Sequence, residues 1–386
     1  MTGWGVAALT AGWLACLPVP VPVTSLLAVA ASAPSWSAPT RPPASPPRLA
    51  AAPVATVRLA GPAARVFCTI SDRRITESSG LVAAGDSLYT VNDGGDRLRV
   101  FVLDRGCRVR RVIENPLNPY DVEDLARSPD GTLWLADIGD NDAARRTVAV
   151  ELLTDSGEAS LFRFSYPDGA HDAEALLLDR HGRPYLVTKE PLGARVYTPA
   201  RTPAADRSTP LRLVVRLPFP PTGTPGGPVG AVSQVLVTGG AVAAGGTRLV
   251  LRTYTDAYLW SAPDGDLAAA LRSGRPDRIA LPATAQGEAI AFSADGRTLL
   301  TSTEGLPAAV HAVPLDDADG AASGSPGPTQ PGPTQPGPTP TGRSGSAAAD
   351  PAADGGGSSL GRAAVAALLA GALIWVGGRL RGALCR

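Results

Sequence analysis

The side chains in this 386-residue sequence that offer chemistry are mostly carboxylates, and they recur in register. Glu77, Glu123, Glu174 and Glu288 each open a segment of one shared frame, and a fifth copy opens on Thr238. Eight residues into every copy stands a glycine: Gly85, Gly131, Gly182, Gly246 and Gly296. Sixteen residues in, Asp93, Glu190 and Glu304 add oxygens, with Gly139 and Tyr254 in the other two copies. Asp121 and Asp172 stand two residues ahead of two of the glutamates, and segments 92–96 and 137–141, the latter including Asp137, are rich in Asp and Asn. Residues 121–190 hold 15 acids against 7 bases. Carboxylates brought together repel one another unless solvated, paired with Arg or bound to a cation. Two roles are open to this set. One is an oxygen-rich Ca²⁺ site or a general acid/base pair. The other is structural, with turn acids bonding loop backbone or neighbouring arginines.

Other chemistry is sparse. Of the three histidines, His171, His181 and His311, only His171 lies beside the acidic set. It joins Glu123 and Glu174 as a catalytic candidate, the alternative being a polar loop residue. The one Gly-x-Ser-x-Gly, at 357–361, falls in a linker rather than between strand and helix. There is no phosphate-binding loop and no Cys-x-x-Cys. Lys189 is the single lysine among 35 basic residues, which reads as coding bias of a bacterial genome. The charges sum to zero, which argues against a nucleic-acid partner.

The elements that must position these acids follow from the repeat itself. Copies start 46, 51, 64 and 50 residues apart, and each reads as strand, tight turn, strand, with a further strand or two behind. Asp-Gly at 130–131 and 295–296 are hairpin turn signals. About 50 residues and three to four strands is one blade of a β-propeller, so the expected fold is all-β. Five blades are visible, and the long 174–238 interval leaves room for a sixth. In a propeller the first strand of each blade lines the channel, so the repeated glutamates ring it at one level. Residues 54–70 are expected to supply the strand that closes the ring against the last blade.

Outside the expected propeller, 54–316, the sequence changes character. Residues 1–33 are apolar and uncharged and read as a signal peptide, although a positive n-region is missing. Residues 34–53 are rich in Pro and Ala and read as disordered. Residues 317–359 carry the tandem pentads PGPTQ, PGPTQ and PGPTP, which favour an extended polyproline stalk. Segment 360–378 reads as a transmembrane helix, and the arginines of 379–386 place that tail in the cytoplasm. Export leaves Cys68 and Cys107 in an oxidising compartment, where they are expected to form a disulfide.

The strings ESSGL (77–81), NDGG (92–95), DVED (121–124), DIGDN (137–141), HDAEAL (171–176) and GEAIAFSADG (287–296) resemble secreted β-propeller proteins of actinobacteria. Those proteins are similar to esterase-like/phytase-like propellers and, more distantly, to gluconolactonase-type propellers. The resemblance covers roughly 66–315. It implies a metal site at the channel mouth, which motif matching places on Glu77, Asp93, Glu123, Asp137, Glu174 and Glu288, with Ca²⁺ as the ion. The expected function is a monomeric cell-surface binding or scaffold module, anchored in the membrane and recognising an extracellular ligand or protein. The alternative is a metal-dependent extracellular hydrolase of a phosphoester or ester.

Overall fold

A computed structural model describes residues 56–57 and 63–315 of the chain. The expected signal, flanking segment, stalk, membrane helix and tail fall outside these residues. Among the described residues no helix is long and apolar enough to cross a membrane.

Five four-stranded antiparallel units make up the fold. Blade I is β3 (Ser78–Ala84), β4 (Ser87–Asn92), β5 (Leu98–Leu103) and β6 (Val109–Asn115). Blade II is β7 (Val122–Arg127), β8 (Leu133–Asp137), β9 (Val148–Leu153) and β10 (Ala159–Ser165). Blade III is β11 (Ala173–Leu178), β12 (Pro184–Thr188), β13 (Ala194–Pro199) and β14 (Thr209–Leu217). Blade IV is β15 (Val237–Val242), β16 (Arg248–Thr253), β17 (Asp256–Ser261) and β18 (Asp277–Ala280), with the two-residue β1 (Thr56–Val57) added in parallel at its outer edge. Blade V is β19 (Gly287–Phe292), β20 (Thr298–Thr303) and β21 (Ala308–Pro314), and its fourth strand is β2 (Arg65–Ile70).

The chain thus closes its ring by pairing an early strand with its last one, Arg65 opposite Ala312 and Ile70 opposite Ala308. Cys68 on β2 is joined to Cys107, in the β5–β6 turn, by a disulfide. That bond ties the closing blade to blade I.

Burial follows strand position. Inner strands such as β8, β11 and β12 are buried at every residue, whereas the outer β14 alternates between buried and exposed. The first strands touch in sequence around the axis: β3 with β7, β7 with β11, β11 with β15, β15 with β19, and β19 with β3. Five apolar clusters lie one between each pair of neighbouring blades. Leu249, Leu251 and Val187 meet between blades III and IV, and Phe101, Leu103 and Val310 between blades I and V. Full burial of such a side chain contributes about 1.5–3 kcal/mol, so the interblade layers hold the ring together.

No sixth blade fills the 174–238 interval. Its extra length goes into the nine-residue β14 and a connection that carries a 3-10 turn at Gly230–Gln234. Two features go beyond the sequence expectation. A seven-residue helix, α1 (Leu267–Ser273), is capped by Asp266 accepting from the Ala269 amide at 2.9 Å. The outer strands β10 and β14 also pair in parallel, joining blades II and III into one eight-stranded sheet.

The first hairpin of each blade explains the repeated glycine. Gly131, Gly182, Gly246 and Gly296 all take positive φ, between 69° and 97°, in five-residue turns. Only glycine adopts that region without strain. Turn acids serve the backbone here: Asp130 accepts from the Thr132 amide, Asp179 from those of His181 and Arg183, and Asp295 from that of Arg297. At this end the inner strands line a cavity of about 380 Å³ whose walls include Leu81, Leu125, Leu178, Val242 and Phe292. The carboxylates gather at the opposite end of the same strands.

Candidate functional site

Every first strand carries a β-bulge near its start. Pairing jumps from Val122 to Asp124, Ala173 to Ala175, Val237 to Gly239, Gly287 to Ile290 and Ser78 to Leu81. A bulge re-aims the extra residue out of the regular ladder. By this register the equivalent residues are Glu123, Glu174, Thr238, Glu288 and, in blade I, Ser79. All five are buried. The two hydroxyls close onto neighbouring backbone, Ser79 Oγ donating to the Glu123 carbonyl at 2.5 Å and Thr238 Oγ1 to that of Gly287 at 2.9 Å. Three carboxylates remain.

Glu77 is therefore not the blade I member of the ring. It lies two residues earlier, in register with Asp121, Asp172 and Gln286, and is exposed. The cause is local. Blade I turns its first hairpin in two residues, 85–86, where the other four blades use five. Counting back from the turn glycine therefore overshoots by two.

A third set of residues covers the mouth from the loops that follow each second strand. The amides of Asp93, Gly139, Lys189 and Glu304 donate to the carbonyls of Glu77, Asp121, Asp172 and Gln286 at 2.9–3.2 Å. Tyr254 holds the corresponding place in blade IV, one residue beyond the Val237–Thr253 pair. In blade III this position belongs to Lys189, not Glu190. The three sets together present Glu77, Asp93, Asp121, Glu123, Asp172, Glu174, Glu288 and Glu304, eight carboxylates against one ammonium.

Two trios bring single oxygens within 4.8 Å of one another: Asp93, Asp121 and Glu123, and Glu123, Asp172 and Glu174. Glu123 belongs to both. Of the residues expected at a metal, Asp93, Glu123 and Glu174 meet here. Glu288 sits beside them, its charge felt with those of Lys189 and Glu174, and its Oε2 is buried without a hydrogen-bond partner among the described residues. Gly139 makes the convergence possible. A Cβ there would lie 2.2 Å from Glu123 Oε1 and 2.6 Å from Asp121 Oδ2.

Asp137 has a different task from the one expected of it. Its carboxylate accepts the amides of Tyr120 (3.1 Å) and Asp121 (2.9 Å) and pairs with Arg145 at 2.9 Å. It is spent on holding the loop that carries Asp121. Arg145 in turn donates to the Gly139 carbonyl and lies 4.4 Å over the exposed Tyr120 ring. Asp172 is set the same way, accepting the Asp140 amide at 2.9 Å.

His171 is enclosed rather than presented. Nε2 lies 3.1 Å from Asp168 Oδ1, Nδ1 lies 3.0 Å from Glu190 Oε1, and the ring stacks on Tyr197. Tyr197 also donates to Asp168, and Arg195 pairs with Glu190. With a carboxylate on each nitrogen, His171 clamps the loop that leads into Asp172. That is a positioning role.

The electrostatics are those of crowded, buried acids. Burial first, then the Asp121 charge, pushes Asp93 up to about 9. Burial raises Glu174 to about 7 against the opposing pull of Lys189, and raises Glu304 to about 7 with help from Glu77. Glu123 and Glu288 rise well above the carboxylate range for the same first reason. Burial works against the Lys189 ammonium, but Glu174, Tyr254, Glu288 and Glu123 outweigh it and hold its pKa well above the usual value. Lys189 Nζ lies 2.5 Å from Glu174 Oε1 and 5.2 Å over the Tyr254 ring. Composition does contain a signal for it: a chain that otherwise uses arginine for every basic residue keeps one lysine, and keeps it here.

Below the mouth, Asp124 locks the axis. Fully buried, it accepts amides from blade III (Leu176, 2.8 Å) and blade IV (Gly240, 3.2 Å). Arg252, also fully buried, donates to the carbonyls of Ala289 and Ser302 in blade V and of Thr253 and Tyr254 in its own blade.

Fold and site together define an all-β propeller of five blades with an acidic channel mouth. No protein-family model and no curated protein matches the sequence. Among solved structures, a gluconolactonase of Xanthomonas campestris is similar with a TM-score of 0.39 and 17% identity, over 67% of this chain and 99% of that one. A luciferin-regenerating enzyme gives 0.38 and 11%, over 66% and 95%. Virginiamycin B lyase of Staphylococcus aureus gives 0.32 and 14%, over 61% of this chain and 66% of the lyase. These similarities are weak, and the fold assignment rests on the strand pairing itself.

Proposed function

We propose that this protein is a cell-surface binding module whose channel mouth takes a Ca²⁺ ion and recognises its ligand at that face. The observation that carries the reading is the meeting of two carboxylate trios that share Glu123, with Lys189 paired to Glu174 and Glu288 Oε2 buried without a hydrogen-bond partner among the described residues. The donors around the two trios are all oxygens, with no histidine or cysteine among them. That is the ligand chemistry of a hard cation with high coordination number. Either trio, Asp93, Asp121 and Glu123 or Glu123, Asp172 and Glu174, offers the oxygens that would hold it. Once bound, the ion supplies positive charge and open coordination positions at the mouth, which suit an oxygen-rich or anionic ligand.

The chain's own residues supply the rest. Asp137 and Arg145 fix Asp121, Asp140 and the His171 clamp fix Asp172, and Gly139 leaves the space between them clear. Display at the cell surface rests on the sequence beyond the propeller: an apolar leader, a proline-rich stalk and an apolar segment followed by arginines.

Thermal unfolding of the full chain tests the cation. At a hundredfold excess over its dissociation constant, a bound ion stabilises by about 2.7 kcal/mol, or about 5–10 °C for a domain of this size. Equal midpoints with Ca²⁺ and with chelator would overturn the proposal.

A second reading, metal-dependent hydrolysis of a phosphoester or ester, is favoured by Glu174, whose carboxyl near 7 suits proton transfer at neutral pH. A substrate screen of wild type against Glu123→Gln and Glu174→Gln decides it. Equal rates would remove it and leave the binding module.

A further inference from the structure

We propose that Lys189 is a built-in cation that fills the Glu174 half of the mouth and so limits the mouth to a single divalent ion, held by Asp93, Asp121 and Glu123. This rests on the cation-binding reading above and adds to it a stoichiometry and the residue that sets it.

The two trios share Glu123 but differ in what already neutralises them. On one side, Lys189 Nζ lies 2.5 Å from Glu174 Oε1, and its charge also acts on Asp172, Glu288 and the shared Glu123. A Ca²⁺ ion coordinated by the same oxygen would sit about 2.3–2.6 Å from it. The ammonium occupies that shell. On the other side, no lysine or arginine of the described residues forms an ion pair with Asp93, Asp121 or Glu123, and the charge that acts most strongly on Asp93 is the Asp121 carboxylate. Beside the two trios, Glu288 is reached by the charges of Lys189 and the buried Arg252, yet its Oε2 has no hydrogen-bond partner among the described residues.

The residue type fits the role. An ammonium is a compact point charge with three rotatable donors, close in size to an ion, whereas guanidinium is a flat fork that needs planar partners. Tyr254 faces the ammonium with its ring, the arrangement that favours a desolvated cation. Among 35 basic residues the one that is not arginine stands where an ion-sized charge is needed. The amide of the same residue donates to the Asp172 carbonyl at 3.0 Å, so tether and charge are fixed together.

The test is calorimetric titration of the full chain with CaCl₂, wild type beside Lys189→Gln, with circular dichroism to confirm folding. The expected result is one Ca²⁺ per wild-type chain and two per variant. Two ions in the wild type, or one in each protein, would overturn the inference and leave the cation reading intact. No ion in either protein would overturn the cation reading itself, and no ion in the wild type with binding only in the variant would overturn both. A measurement on the wild type alone guards against a variant that does not fold. Labelling with ¹⁵N-lysine gives a single side-chain resonance, because the chain has a single lysine. Its ammonium signal is expected to shift yet stay protected from solvent exchange at saturating Ca²⁺. Loss of that protection would show the ion displacing Lys189, and would overturn the inference.

Discussion

A methyl group at position 139 would sit 2.2 Å from Glu123 Oε1 and 2.6 Å from Asp121 Oδ2. Both clashes are with the free ends of side chains, so the fold tolerates the change and the donor geometry does not. Gly139→Ala is therefore expected to weaken Ca²⁺ binding at least about tenfold, the equivalent of ~1.4 kcal/mol, with an unchanged melting point in chelator. Calorimetry and thermal unfolding separate the two effects. Proton linkage gives a second prediction at this scale. Glu174 and Glu304 titrate near 7 and Asp93 near 9 in the folded chain, above their unfolded values. The folded state then holds protons that the unfolded state has lost, and stability falls as pH rises between those values. In chelator the melting point is expected to be highest near pH 5, to drop through pH 7 and to keep dropping towards pH 9. Ca²⁺ displaces those protons, so saturating Ca²⁺ should flatten the profile. A melting point in chelator that rises from pH 5 to 9 would contradict this.

At the scale of elements, the disulfide and the closing strand act together. Cys68 lies on β2, the only strand of blade V that comes from the start of the propeller, and Cys107 lies in the turn of blade I. The 39-residue separation gives a bond of this kind about 3–4 kcal/mol. Cys107→Ser is expected to lower the unfolding free energy extrapolated from denaturant titration by that amount, with little effect on Ca²⁺ affinity, since both cysteines are remote from the mouth loops. Much of this level was legible in the sequence. The repeating glycines at 131, 182, 246 and 296 mark real five-residue turns, and the closing strand expected within 54–70 is β2. What the repeat could not show is where a bulge falls. Turn length in blade I shifted the frame from Ser79 to Glu77, and a one-residue difference in blade III pointed to Glu190 where Lys189 stands. The sequence points to Asp137 as a metal ligand and His171 as a catalytic candidate, but the partners that engage them lie in loops whose meeting depends on the folded chain.

The described residues form a ring with two unlike ends, one crowded with carboxylates where the first strands begin, the other holding a cavity walled by Leu81, Leu125 and Phe292 together with Arg127, Asp179 and Arg180. The residues expected to bind a ligand all face one way, which is the arrangement wanted of a head held on a stalk. The corresponding prediction concerns the segment 360–386. A chain ending at 359 is expected to appear in the medium, while the full chain sediments with membranes and resists alkaline carbonate. Equal partitioning of the two would remove the anchor from the proposal.

The closing strand has a mechanical consequence. β21 runs between β20 and β2, bonded to a neighbour on each side, and the described chain ends one residue beyond it, at Leu315. Tension applied at that end pulls along the strand, so the hydrogen bonds on both flanks are loaded in shear together rather than unzipped one by one. A hairpin at the edge of a sheet would peel under the same load. By giving its final strand a partner from an early part of the chain, the propeller keeps that strand between two neighbours instead of leaving it at an edge.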